Sequence, residues 1–152
     1  MTGTPEGRRI PPPRRVVVDT NVVLDVLLER APFVADAARL FAAVAERRVI
    51  GVLAGHAVTT VYYVYRQGRP REVARRKVGT LLSVFEVAPV GRGELEGALA
   101  SPFTDFEDGV VHAAAVAARA DAIVTRNGAD FTAATAPVYT PGEVLAALAA
   151  MG

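Results

Sequence analysis

Short runs of aliphatic and β-branched residues recur along the chain, separated by longer stretches whose apolar positions fall three and four residues apart. The first run, Arg15-Val16-Val17-Val18, leads into Asp19-Thr20-Asn21, residue types that favour helix starts. This predicts a strand feeding a helix over 22–29. Pro32 suits the first turn of a second helix over 33–47, with Leu40, Phe41 and Val44 on its apolar face. Further strands are expected at 49–53, 86–90, 122–125 and 138–140. Helices are expected over 57–67, ending at Gly68, and over 70–85 and 94–100. Thr104-x-x-Glu107 has the form of a capping box and predicts a helix over 104–120. Thr140-Pro141-x-Glu143 is a second such box, opening a last helix that ends near Met151. Four- and five-residue apolar strands alternating with helices imply an α/β fold, a mostly parallel sheet covered on both faces. In such folds sites form outside the carboxyl ends of the strands.

Composition narrows the picture. With 152 residues, 51% of them hydrophobic, the chain is long enough for one domain with its own core. It has no cysteine, which excludes a disulfide framework, a thiolate metal site and a cysteine nucleophile. A net charge of +1 argues against coating nucleic acid by bulk electrostatics. No apolar run reaches the length of a membrane span and no signal-peptide core is visible, so a soluble cytoplasmic protein is expected. Residues 1–14, rich in Pro and Arg, read as a tail off the core, and 15–152 as the folded domain.

The chemistry-bearing residues cluster at predicted strand ends. Asp19 follows the first strand. Asp105 and Asp108 fall on one face of the first turn after the Thr104 cap. Asn127 and Asp130 follow the fourth strand, with Asn127-Gly128 marking a turn. If the first and fourth strands are neighbours, acids from three segments meet at one sheet edge. Carboxylates so gathered repel one another unless a cation neutralises them or their pKa values rise. Oxygen ligands without thiolate select Mg²⁺ or Mn²⁺. Such an ion lowers the pKa of a bound water and stabilises the charge of an in-line phosphodiester displacement.

These three motifs together resemble the PIN-domain family, the fold of many toxin ribonucleases of the VapC type. The motifs are Asp19-Thr20-Asn21 after a strand, Asp105-Phe106-Glu107-Asp108 opening a helix, and Thr125-Arg126-Asn127 with Asp130-Phe131 after a strand. The resemblance implies a three-layer α/β/α sandwich with a five-stranded sheet and a Mg²⁺- or Mn²⁺-dependent endoribonuclease. It also implies a homodimer and a cognate antitoxin as partner. Carried over, Asp19 and Asp108 are metal-binding acids, Asp130 or Asn127 fills the acidic position after the fourth strand, and Asp105 adds a carboxylate beside Asp108. Thr20, Asn21 and Thr125 are expected to hold the acids by hydrogen bonds. Two departures stand out. Thr60 occupies the place of a glutamate common in the family, and Asn127 that of a common aspartate. Unless Asp105 compensates, they point to weak single-ion binding or an inactive site.

Other residues have blander readings. Glu107 is accounted for by its capping box and is not assigned to the metal. Asp25 is expected on a solvated helix face, and His56 and His112 carry no assigned role. Arg66, Arg69, Arg76 and Lys77 lie in a basic run that suits an RNA backbone or a solvated helix face. Tyr62, Tyr63 and Tyr65 suit packing or an interface better than base stacking. Two alternatives to a nuclease are a silent PIN module binding RNA or a protein, and a phosphatase or phospho-receiver. The latter fits poorly, with Asn21 where a second Asp belongs and Lys77 the only lysine.

Overall fold

The computed structural model describes residues 9–151. Five strands, β1 (Arg15–Val18), β2 (Ile50–Ala54), β3 (Glu86–Ala88), β4 (Ala122–Val124) and β5 (Val138–Tyr139), form one sheet in the order β3-β2-β1-β4-β5. Every pairing is parallel. The seven helices are α1 (Thr20–Leu27), α2 (Val34–Ala45), α3 (Gly55–Arg66), α4 (Arg71–Val84), α5 (Arg92–Ala100), α6 (Phe106–Ala117) and α7 (Pro141–Ala149). The predicted α/β/α sandwich is therefore the observed architecture. No helix among the described residues is long and apolar enough to cross a membrane.

The strands are apolar throughout because both faces are buried. Val16, Val18, Leu53, Ala122 and Val124 face a core completed by α1, α2 and α7, with Val61 of α3 and Leu81 of α4 among its buried residues. Val17, Val52, Ala54 and Ile123 face the second core, filled mainly by Val111, Ala114 and Ala115 of α6. The twofold alternation of strand side chains thus divides one valine run between two layers. Gly51 is required on β2, since a Cβ there would lie 2.6 Å from the Phe85 ring.

Four sequence expectations shift. The segment just ahead of β1 does not stand off the core. Ile10 packs against it, Pro13 is buried, and the amides of Arg14 and Arg15 both donate to Asp121 Oδ2 at 2.9 and 3.0 Å. Residues 1–8 of the proposed tail lie outside the described residues. Pro32 precedes α2 instead of opening it. Asp25 is not solvated: it is 1% exposed, inside α1. The α6 cap is Asp105, not Thr104: its side chain accepts from the Asp108 amide at 2.9 Å. The T-x-x-E and D-x-x-D frames are offset here by one residue, and aspartate outcompetes threonine as a cap. At α7 the predicted box is present. Thr140 Oγ1 accepts from Glu143 N–H at 3.1 Å, and Glu143 Oε1 accepts from Thr140 N–H at 2.9 Å.

Candidate functional site

The chain winds from β1 to β2 and β3 on one side and then crosses to β4 and β5 on the other. The carboxyl ends of β1 and β4 therefore flank the point where winding reverses, the place where an open parallel sheet leaves a crevice. Val18 pairs with Val124, and the ladder continues one step, with Asp19 N–H donating to Val124 O at 2.9 Å. That step sets Asp19 beside Thr125. Asp19 occupies the cap position of α1, but its side chain makes no capping bond. Its Oδ2 instead accepts from Thr125 Oγ1 at 3.0 Å, and both residues are buried, at 5% and 0% exposure. Thr125 Oγ1 in turn accepts from Asn127 N–H at 3.1 Å. A carboxylate removed from water and spared from capping is held for another purpose.

The other acids come from two flanking segments. Asp108 is the third residue of α6 and is half-buried, while Asp105 and Glu107 beside it are exposed. After β4, Gly128–Phe131 forms a 3-10 turn, and Asp130 N–H donates to Asn127 O at 3.0 Å. Phe131 anchors this turn in the core against Phe103, ring centroids 5.8 Å apart. His112 ties the following residues to α6, with its Nε2 accepting from Thr135 N–H at 3.1 Å. Asp105, Asp108 and Asp130 share the lining of one cleft of about 320 Å³, together with Phe103 and Thr104.

Electrostatics connects these acids with Asp19. Burial pushes the Asp19 carboxyl above 3.8. The Thr125 hydroxyl and the Thr20 amide pull it back, and the charges of Glu107 and Asp130 raise it further. Asp108 is pushed up to about 7, first by burial and then by the charges of Asp105, Asp19, Asp130 and Glu107. Every charged group acting on this pair is a carboxylate. Like-charged groups that crowd one another across three chain segments favour either protonation or a neutralising cation. An all-oxygen donor set suits a hard divalent cation. Among the described residues no three His, Asp or Glu side chains already form a closed ligand set. Asp105, Glu107 and Asp130 are exposed, Asp105 held by its capping bond to the Asp108 amide.

Some expected contributors play other parts. The Thr20 hydroxyl is buried without a partner, and only its amide reaches Asp19. Asn21 makes no hydrogen bond to the acids among the described residues, so of the three expected supports only Thr125 acts through its side chain. Thr60 donates to the His56 carbonyl of its own helix at 3.4 Å and supplies no charge. His56, in the first turn of α3, stands close enough to Glu107 to feel its charge, although burial dominates and lowers its pKa; neither ring nitrogen has a partner. Glu107, set aside in the sequence as a capping residue, acts on Asp19, Asp108 and His56 alike. A D-x-x-D reading of the helix start frees it for that role. Arg66 and Arg69 sit at the far end of α3, about 17 Å of helix away from its start. Arg69 lies 4.4 Å over the Tyr65 ring, and both arginines donate to backbone carbonyls. Arg76 and Lys77 are exposed on α4. Of the tyrosines, Tyr65 is in the core and Tyr63 is exposed.

Comparison with known proteins gives a consistent picture. A family model described as PIN domain matches residues 15–129. No curated protein matches the sequence. Among solved structures, the VapBC2 complex of Rickettsia felis bound to a DNA fragment from its promoter contains a chain of 13% identity and TM-score 0.61, covering 82% of this chain and 96% of that one. FitAB bound to an IR36 DNA fragment gives 18% identity and TM-score 0.64, covering 84% and 95%. VapC20 of Mycobacterium tuberculosis, a toxin that cleaves the sarcin-ricin loop, gives 16% identity and TM-score 0.58, covering 71% and 86%. At these identities the likeness is one of fold.

Proposed function

The chain belongs to the PIN-domain family, and from that premise we propose that it is a divalent-cation-dependent endoribonuclease, the toxin of a toxin–antitoxin pair. Its nuclease domain is assigned to 15–152, with Ile10 to Arg14 as a strap packed against it. Asp19, Asp105, Asp108 and Asp130 would hold Mg²⁺ or Mn²⁺, with Asp19, Asp108 and Asp130 as the catalytic acids. The observation that carries this reading is the gathering of buried Asp19 and half-buried Asp108 with carboxylates of α6 and of the Gly128–Phe131 turn: burial first, and then these charges, raise both pKa values, with no basic group among the charges acting on them. A bound divalent cation supplies the missing positive charge and stabilises the charge of an in-line phosphodiester displacement.

The chain's own residues do the rest. Thr125 and the Thr20 amide fix Asp19 in one orientation. Asp105, as the α6 cap, fixes Asp108 through its amide and orients the first turn toward the cleft. Asn127 steadies Thr125 through its amide, and its carbonyl holds the Asp130 turn. Arg66, Arg69, Arg76 and Lys77 guide the RNA backbone, with Arg76 and Lys77 the most available. A cognate antitoxin, a homodimer and a cytoplasmic setting complete the proposal; the VapBC2 and FitAB complexes support the antitoxin.

One observation favours a second reading. Thr60 brings no carboxylate to the site, which suits a silent module that binds RNA or a protein. Titrating Mn²⁺ into metal-free protein by calorimetry separates the two. The nuclease binds the ion at millimolar concentration or below and cleaves RNA in an EDTA-sensitive way. Absence of binding at millimolar ion with intact RNA binding establishes the silent module instead.

A further inference from the structure

Arg126 is placed where it ought to harm the site just described. It lies between Thr125, which donates to Asp19, and Asn127, whose amide donates to Thr125. It is the second residue beyond the end of β4 at Val124. Strand alternation aims its side chain toward the α1 layer, but beyond the end of β4 no sheet separates that layer from the acids. An arginine side chain is long and flexible. Free at this rim, it would be drawn toward the carboxylate that its neighbour Thr125 holds.

It is not free. Its Nε lies 2.8 Å from Asp25 Oδ2, although the N–H does not point along the contact, so the attraction is ionic and not a linear hydrogen bond. Its guanidinium stacks over the Phe33 ring, 4.1 Å from the centroid. The second oxygen of Asp25 faces Arg30 at 3.6 Å. Asp25 is 1% exposed, whereas the Arg126 side chain keeps 24% of its surface in water. A buried carboxylate in the middle of an apolar helix is costly unless it is paired for a reason.

We propose that Asp25 and Phe33 sequester the Arg126 guanidinium, so that the carboxylate cup lacks an internal counter-ion and is left to an external divalent cation. Arg126 is then a potential self-inhibitor, and Asp25 is a positioning residue acting through it. The inference rests on the cation-binding reading above. A plain structural role for the ion pair makes a different prediction: losing Asp25 and losing Arg126 harm the protein in the same direction. Sequestration predicts that removing Arg126 cures the loss of Asp25.

The test uses the full chain without metal and then with Mn²⁺ alone. In the metal-free protein, stacking on Phe33 shifts the Arg126 side-chain protons upfield in the NMR spectrum. Asp25→Asn should abolish that shift; an unchanged shift overturns the proposal whatever the cation does. Calorimetry should then give a Mn²⁺ affinity about tenfold weaker for Asp25→Asn, the order expected when a unit positive charge enters a half-buried site. The double variant Asp25→Asn/Arg126→Gln should return to within about twofold of wild type. A double variant as weak as Asp25→Asn overturns sequestration in favour of simple structural support. Phe33→Leu, at a residue 40% exposed, provides a second route if Asp25→Asn fails to fold. It should weaken Mn²⁺ about two- to threefold, the order of an exposed cation–π contact, and Arg126→Gln should again restore it. Wild-type protein that binds no Mn²⁺ removes the cation-binding reading and, with it, the function proposed for the clamp. The proton shifts then still report whether Asp25 holds Arg126.

Discussion

Asp19 and Asp25 bound the first turns of the same helix region and are both nearly inaccessible, yet their surroundings are opposite in sign. Asp25 is met by two guanidinium groups and an aromatic ring beneath one of them. Asp19 is met by a hydroxyl, an amide and further carboxylates. The first is a balanced charge, complete within the chain. The second meets no opposite charge among the described residues, and its pKa is raised, first by burial. A buried acid therefore marks a binding site only when its partners fail to neutralise it, and burial alone would have chosen Asp25.

The comparison can be broken most forcefully at Asp19. Asp19→Asn should reduce cation-dependent RNA cleavage by about a thousandfold or more, as expected when a ligand that stabilises transition-state charge is lost. Wild-type cleavage by that variant in a gel assay ends the nuclease reading. Stability should respond in the reverse order. Asp25→Ala leaves two arginines without a partner and should cost about 2–3 kcal/mol in urea denaturation, somewhat below a fully buried pair because both arginines reach water. Asp19→Asn in EDTA should cost nothing or stabilise, since it removes repulsion. Thr125→Val sharpens the picture by removing the hydroxyl that faces Asp19, at about 1–2 kcal/mol. It should also weaken Mn²⁺ binding.

The smallest effect is a pH slope. A carboxyl held at about 7 in the folded protein and at 3.8 when unfolded keeps its proton only in the folded chain between those values. The unfolded chain then binds fewer protons, so stability in EDTA should fall as pH rises from 3.8 toward about 7. Asp19, raised for the same leading reason, adds to the slope in the same direction. Asp108→Asn should flatten most of it, as measured by denaturation midpoints across that range.

The alternation of strands and helices and the acids at strand ends were legible because apolar runs and helical spacing are local signals, whereas the pairing of β1 with β4 is a long-range contact that the sequence left as a condition. Asp19 was legible because it follows a valine run directly. The α6 cap was not, because Thr104 and Asp105 both find an acid three residues on, and only three-dimensional packing chooses between the frames. Asp25 lies three residues after Val22, in step with the apolar face, which is a hint of burial. Its partner Arg126 comes from the other end of the chain, and no periodicity reports it. Glu107 was misassigned as a consequence of the cap, not through any ambiguity of its own. Thr60 was correctly seen to lack charge, while the unpartnered ring of His56 one turn earlier carried no sequence signal at all.

The strap formed by Ile10 to Arg14 enters the molecule on the rim where β1 begins, and the acids gather where β1 ends. Four residues of strand, about 13 Å, separate the two rims. Because the natural chain contains no cysteine, a single thiol introduced at the exposed Arg9 gives a unique attachment point for a fluorophore. Such a handle would watch RNA or a partner protein arrive without obstructing the mouth it reports on.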